Sequence, residues 1–195
     1  PVRFIGNYST GKMGFALAQA CADAGAEVLL VAGPVQQFIE HPRVKRIDVE
    51  SAQQMYYVVM EHFPTCDGAI LCAAVADFTP IVVANQKMKR EKDNLVIELK
   101  PTQDIAAAVG KLKTEKQFLV GFALETNDEE AHALDKMRRK NLDFIVLNSL
   151  NDAQACFGYD TNKITILKAS GDKKIFELKS KLDVAKDIIN ELANY

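Results

Sequence analysis

Long apolar runs are missing from this chain, and so is a dinucleotide fingerprint. No stretch approaches the roughly 20 consecutive apolar residues of a membrane-spanning helix, and no signal-peptide pattern opens the chain. A cytoplasmic protein with no membrane partner is therefore expected. G-x-G-x-x-G is absent, which counts against a dinucleotide enzyme. Cysteine is sparse: Cys21, Cys66, Cys72 and Cys156 contain no C-x-x-C pair and lie mostly in apolar settings. They read as reduced, buried thiols rather than a disulfide frame. His41, His62 and His132 have no partners at metal-ligand spacing. An excess of positive charge is lacking too: the net charge is -2 and the pI near 6.0, which argues against a nucleic-acid partner. With no internal repeat, low-complexity tract or linker, the 195 residues read as a single domain over 1–195.

What the chain does have is sustained alternation of strand and helix patterns. Apolar residues at helical spacing predict a helix over 12–24, with Met13, Leu17, Ala20, Cys21 and Ala24 on its inner face. Strands are predicted over 27–32 and 44–49. Ser51 with Gln54 has the form of a capping box and opens a helix to about 63. Residues 69–74 are apolar on both faces and end in small residues, as in a central parallel strand. A strand over 95–99, a helix from 102–104 to 112 and a buried strand over 118–123 follow. Asn127 or Asp128 is expected to cap a charged helix to 140, and 144–147 returns to the sheet. After an irregular stretch, Gly171-Asp172 marks a hairpin between 164–167 and 175–178. Ser180 with Asp183 opens a last helix with Leu182, Ala185, Ile188, Ile189 and Leu192 inside. The alternation predicts a three-layer α/β/α sandwich, Rossmann-like, with a mostly parallel sheet and a C-terminal β-hairpin and helix. Such domains ordinarily place a strand before their first glycine loop. A further strand upstream of Pro1 is therefore expected.

Ligands of open α/β sheets sit just beyond the carboxyl ends of the strands. At that edge, 69–74 leads past Asp77 into a basic tract holding Lys87, Lys89, Arg90 and Lys92. A polyanion is one reading of the tract, and a solvated charged hairpin is the other. Gly6-x-x-x-x-Gly11-Lys12 approaches a P-loop, but Met13 stands where magnesium needs a hydroxyl. Ser9 and Thr10 at a helix start either offer an anion N–H groups or simply cap a turn. Lys136 and Lys140 share a helix face at i, i+4, although cations near a helix end need no ligand. Asp77 has a plain reading as a turn residue before Pro80. Cys72 reads as core rather than nucleophile.

Five motifs taken together resemble one family: GNYSTGKMG (6–14), AAVADF (73–78), KMKR (87–90), GFALET (121–126) and RRKNLDFIVLN (138–148). They are similar, in order and spacing, to phosphopantothenoylcysteine synthetase of the bacterial, CTP-using kind. That domain is often fused behind a flavin-dependent decarboxylase. The resemblance implies a Mg2+- and CTP-dependent ligation of 4′-phosphopantothenate to L-cysteine through an acyl-cytidylate, by a homodimer. It implies nucleotide contacts from Leu71, Cys72, Ala73, Asp77, Lys87, Gln103, Asp104, Ile105, Ala106, Phe122, Lys136 and Lys140. It implies catalytic roles for Asn7 and Lys87, and substrate contacts from Asn7, Ser9 and Thr10. Arg90 departs from the family's usual lysine, and Gly6 and Tyr8 from its commoner loop residues. Two other classes stay open from the residues alone. One is a nicotinamide oxidoreductase with its fingerprint upstream, the other a non-enzymatic nucleotide-binding module. The 95–99 strand is a candidate dimer edge.

Overall fold

The structure is a computed structural model that describes residues 4–86, 95–125, 128–149 and 159–194. Its elements, in chain order, are α1 (Lys12–Asp23), β1 (Val28–Ala32), β2 (Val44–Asp48), α2 (Ala52–His62) and β3 (Gly68–Leu71). Then come β4 (Phe78–Pro80), β5 (Leu99–Pro101), α3 (Ile105–Leu112), β6 (Phe118–Glu125), α4 (Glu129–Arg139) and β7 (Phe144–Ser149). The chain closes with β8 (Thr161–Asn162), β9 (Thr165–Lys168), β10 (Lys173–Ile175), β11 (Lys179–Ser180) and α5 (Lys181–Ala193).

The main sheet runs β10-β9-β7-β6-β3, with β3, β6 and β7 parallel and β9 and β10 added as an antiparallel hairpin. β1 and β2 form a separate parallel pair. Alternation along the buried strands divides the core into two layers. Leu119, Ala123, Ile145 and Leu147 face α2, α3 and α4, packing with Met55, Val109 and Met137. Val120, Phe144 and Val146 face α1 and α5, packing with Leu17, Val184 and Ile188. A period of two on β6 and β7 thus serves two helical layers, the signature of a sheet covered on both sides. The three-layer α/β/α reading and the C-terminal hairpin and helix are observed.

Several local expectations need correction. The 69–74 strand is shorter, ending at Leu71, and within the described residues it forms an edge of the five-stranded sheet. All four of its residues are only half-buried, because one side of its ladder has no partner strand among the described residues. The 95–99 strand begins only at Leu99 and pairs with β4, a partner that sequence did not indicate. Asp128 does sit at the α4 N-cap, but in the left-handed region (φ 45°) with no side-chain cap. On α5, Leu182 is exposed and Val184 takes its core place. On α1, Cys21 is only half-buried and Ala24 is exposed. The irregular stretch before the hairpin contains β8, which pairs antiparallel with β11. Ser51 and Gln54 do form the capping box, and Ser180 does cap α5.

Two basic side chains hold a buried carboxylate on α5. Glu191 is bridged by Lys168 at 3.0 Å and also by Lys174. Hydrogen bonding from Lys174 outweighs burial and keeps the carboxyl below the usual glutamate range.

Candidate functional site

β3 ends beside the middle of β6, since Leu71 pairs with Gly121, and β6 runs on through Phe122 to Glu125. Beyond β3 the chain turns through Cys72 and Ala73 into an irregular loop that is held from two directions. Asn7 reaches across from the loop before α1 and donates its Nδ2 to the Val75 carbonyl at 3.0 Å. From the other side Thr102 donates its hydroxyl to Ala76 O at 2.7 Å, and its N–H to Asp77 O at 2.9 Å. Backbone groups that would otherwise point at solvent are thereby paired, and the loop has a fixed path. Asp77 and Ala73 are exposed on it.

Thr102 leads directly into the start of α3. Asp104 caps that helix by accepting the Ala107 N–H at 3.0 Å, a standard use of aspartate at this position. The same carboxylate receives Lys140, with Nζ to Oδ2 at 3.0 Å. Burial opposes ionisation of Asp104. The Ala107 N–H and the Lys140 and Lys136 ammonium groups together outweigh it and hold the carboxyl below the usual aspartate range. Lys136, one turn earlier on α4, donates to the Phe122 carbonyl at 2.8 Å. One continuous set of contacts therefore runs from Asn7 through Val75, Asp77, Thr102, Asp104 and Lys140, and closes from Lys136 onto Phe122. Gln103 is exposed, Ile105 buried and Ala106 half-buried at the same helix start.

Not every expected residue joins this set. Ser9 and Thr10 are exposed in the Asn7 loop, and Ser9 Oγ accepts the Gly11 N–H at 3.4 Å. Gly11 adopts φ 75° at the α1 N-cap, and a side chain there would also meet Val35 Cγ2 at 2.9 Å. Lys87, with Lys89, Arg90 and Lys92, lies outside the described residues, as does Cys156. Cys72 follows the last residue of β3, and burial pushes its thiol up to about 12. It is a protonated thiol at neutral pH, consistent with core rather than nucleophile. Cys21, Cys66 and Cys72 are half-buried free thiols, less covered than expected. Among the described residues no cluster of His, Cys, Asp and Glu is arranged to hold a metal ion, and no helix is long and apolar enough to cross a membrane. Thr102 is the contributor that sequence reasoning missed. A threonine before a helix start has many bland uses, and only the folded loop shows what it grips.

A cavity of about 300 Å³ lined by Leu134, Met137, Asn141 and Leu142 lies elsewhere, at the amino-terminal end of β7. In a parallel sheet that end carries helix C-termini and packing. The carboxyl ends, with their converging lysines and helix start, are the better chemical site.

Comparison with known proteins places the chain in a family. The family model described as the DNA/pantothenate metabolism flavoprotein C-terminal domain matches residues 1–195. The coenzyme A biosynthesis bifunctional protein CoaBC of Bacillus subtilis (strain 168) is 46% identical over 195 residues, 99% of this chain and 47% of that protein. A cysteine/cysteine sulfinic acid decarboxylase of an unknown prokaryotic organism is 55% identical over 192 residues, 98% of this chain and 54% of that protein. The chain thus spans about half the length of these curated relatives. A crystal structure of the C-terminal domain of CoaBC superposes with a TM-score of 0.82 at 38% identity, covering 98% of this chain and 86% of that one. With a full-length family match and the same fold, the chain belongs to the DNA/pantothenate metabolism flavoprotein C-terminal domain family, and is homologous to the C-terminal domain of CoaBC.

Proposed function

We propose that this chain ligates 4′-phosphopantothenate to L-cysteine at the expense of CTP, as one step of coenzyme A biosynthesis. The carrying observation is the juxtaposition of the β3 end, the capped start of α3 and two α4 lysines, in a chain homologous to the CoaBC C-terminal domain. The carboxylate of phosphopantothenate attacks the α-phosphorus of CTP and expels pyrophosphate, giving an acyl-cytidylate. The cysteine amine then attacks the acyl carbon, forms the amide and releases CMP. A free carboxylate is a poor acyl donor, and the cytidylate supplies a leaving group.

Positioning and charge neutralisation are what the protein contributes. Leu71, Cys72 and Ala73 at the strand end, Asp77 beside them, and Gln103, Asp104, Ile105 and Ala106 at the α3 start border the nucleotide, with Phe122 packed alongside. Lys136 and Lys140 face its phosphate or ribose, already oriented by Phe122 O and Asp104. Asn7 holds the acyl-cytidylate, with Ser9 and Thr10 on the acyl-substrate side, and Lys87 neutralises the triphosphate. Mg2+ would be carried by the nucleotide's phosphates and would help neutralise their charge. This fits a donor set without a carboxylate cluster among the described residues, since Mg2+ commonly binds through substrate phosphates and waters.

A homodimer belongs to the same reading. The β4–β5 ribbon and its flanks expose Ile81, Val82, Val83, Leu95, Val96 and Ile97, an apolar strip suited to strand-to-strand pairing. Sedimentation should give twice the protomer mass, and a monomer at micromolar concentration would remove the dimer.

The 55% identical relative named as a decarboxylase favours a second reading, in which the complete protein releases CO2 from cysteine or its sulfinic acid. One assay separates the two. Complete protein with CTP, phosphopantothenate and cysteine should turn over with release of pyrophosphate and CMP, and CMP should appear only when cysteine is present. CO2 from cysteine without nucleotide consumption, or a strong preference for ATP, would overturn the CTP ligase.

A further inference from the structure

α1 and α5 pack against the same face of the sheet, and the first residue of each contacts Asp160. Lys12 opens α1 and Lys181 opens α5, with the segment around Asp160 between them. Lys12 Nζ lies 2.5 Å from Asp160 Oδ1. Lys181 donates its backbone N–H to Asp160 O at 2.9 Å, and its ammonium to the Tyr159 carbonyl and to Thr161 O at 3.2 Å. Beneath them Asn162 is 2% exposed, its Nδ2 directed to Asn148 Oδ1 at 3.4 Å and Met13 Sδ at 3.8 Å. The seat is therefore fixed to the end of β7 and to α1.

This cluster borders the candidate site on the side away from Lys136 and Lys140. Lys12 directly follows the loop that carries Asn7, and the charge of Lys181 acts on the Cys72 thiol at the end of β3. The hydrogen bond and charge of Lys12, joined by the charge of Lys181, hold the Asp160 carboxyl below the usual aspartate range. Lys12 thus bridges a side-chain carboxylate that is 85% exposed, and Lys181, whose ammonium lies on two backbone carbonyls, adds its charge beside it. An ion pair so open to water is weak, and its anion is readily exchanged for a better one. A phosphate group carries more charge and more acceptor oxygens than a carboxylate, and lysine binds phosphate as a point charge.

We propose that Lys12 and Lys181 form a phosphate subsite of the ligase centre, with the Asp160 carboxylate as the counter-ion that substrate phosphate displaces. This rests on the ligase reading and deepens it. Two reactants carry the required chemistry, the phosphate monoester of the acyl substrate and the triphosphate of the nucleotide. Their kinetics tell them apart.

The test is steady-state kinetics of the complete protein carrying Lys12→Gln, Lys181→Gln or Asp160→Asn. A purely structural latch requires Lys12→Gln and Asp160→Asn to act in the same direction, because both break one bridge. The phosphate subsite requires opposite signs. Loss of either lysine should raise one phosphate-bearing reactant's KM roughly tenfold or more, the worth of a charged hydrogen bond. Loss of the competing carboxylate should lower it by about twofold, as befits an exposed pair. KM for cysteine should stay put, and Lys12→Arg should restore most of the affinity. A shift confined to phosphopantothenate assigns the monoester, and one confined to CTP assigns the triphosphate. Equal-sign effects, or none, in an active wild type overturn the subsite and leave the ligase intact. If the wild type does not turn over, the ligase reading itself has failed. Calorimetric titration with inorganic pyrophosphate then reads the subsite directly, with the same opposite signs required.

Discussion

Replacing Gly110 by alanine probes how the site is built. Gly110 is buried in the last turn of α3, and a Cβ there would lie 2.0 Å from the Lys140 carbonyl oxygen and 2.9 Å from its carbon. Both are backbone atoms, so no side-chain rotation relieves the contact. Asn141 clamps the same junction, donating Nδ2 to Gly110 O at 2.9 Å from a left-handed backbone (φ 51°). An ordinary carbon–oxygen contact is about 3.3–3.6 Å, so the helix end must retreat by more than about 1 Å. Overpacking of this kind costs about 1–3 kcal/mol, and backbone against backbone belongs at the upper end. Alanine's better helix propensity returns at most about 1 kcal/mol. The net loss is about 2 kcal/mol, which for a domain of this size lowers Tm by about 4–8 °C. The same displacement shifts Lys140 relative to Asp104, so KM for CTP should rise several-fold. Thermal unfolding followed by circular dichroism, with nucleotide kinetics beside it, reads both effects. A variant with raised Tm and unchanged KM would refute the close contact and the idea that it sets the lysine's position.

Other substitutions separate chemistry from stability. Lys140→Met should raise KM for CTP about tenfold, while Tm moves little because a partly exposed pair contributes about 1 kcal/mol or less; an unchanged KM removes Lys140 from the nucleotide. Lys87→Gln should lower kcat by about a hundredfold, the typical effect of losing one charge-stabilising donor, with unfolding unaltered; wild-type turnover would take Lys87 out of the reaction. Glu191→Gln tests the buried ion cluster through pH. The folded-state pKa of Glu191 is depressed, so its stabilisation is fully present above the ordinary glutamate value of about 4.5 and is lost as pH falls through the folded value. Urea unfolding should show the variant about 1–2 kcal/mol less stable at pH 7, the partial exposure of Lys174 moderating a buried-pair loss. That deficit should shrink under acid conditions, and a pH-independent difference would mean the charge is not the cause.

Much of the architecture was legible because its signals are local. The buried runs in β6 and β7, the Ser51–Gln54 capping box and the Gly171 turn each state their structure in a few adjacent residues. The edge placement of β3 among the described residues was not, since an apolar strand reads alike whether one neighbour or two complete its ladder. The β4–β5 and β8–β11 ribbons were missed because two or three paired residues leave no period to detect. At the site, Asp104 and Lys140 stood out as residue types, but their mutual bridge spans 36 positions and depends on α3 meeting α4. The Lys12–Asp160 pair, 148 positions apart, was invisible for the same reason. Asn162 is a buried polar residue that composition would place outside, and only the folded seat supplies its partners.

The order of bond-making in the proposed ligation is testable through the fate of one oxygen atom. Phosphopantothenate bearing heavy oxygen in its carboxylate is turned over with CTP and cysteine, and the CMP is weighed by mass spectrometry. Attack of that carboxylate on the α-phosphorus, followed by amine attack on carbon, leaves one labelled oxygen on the CMP phosphate. Labelled CMP is the predicted result. Product formation with unlabelled CMP would contradict acyl transfer through a cytidylate at this centre.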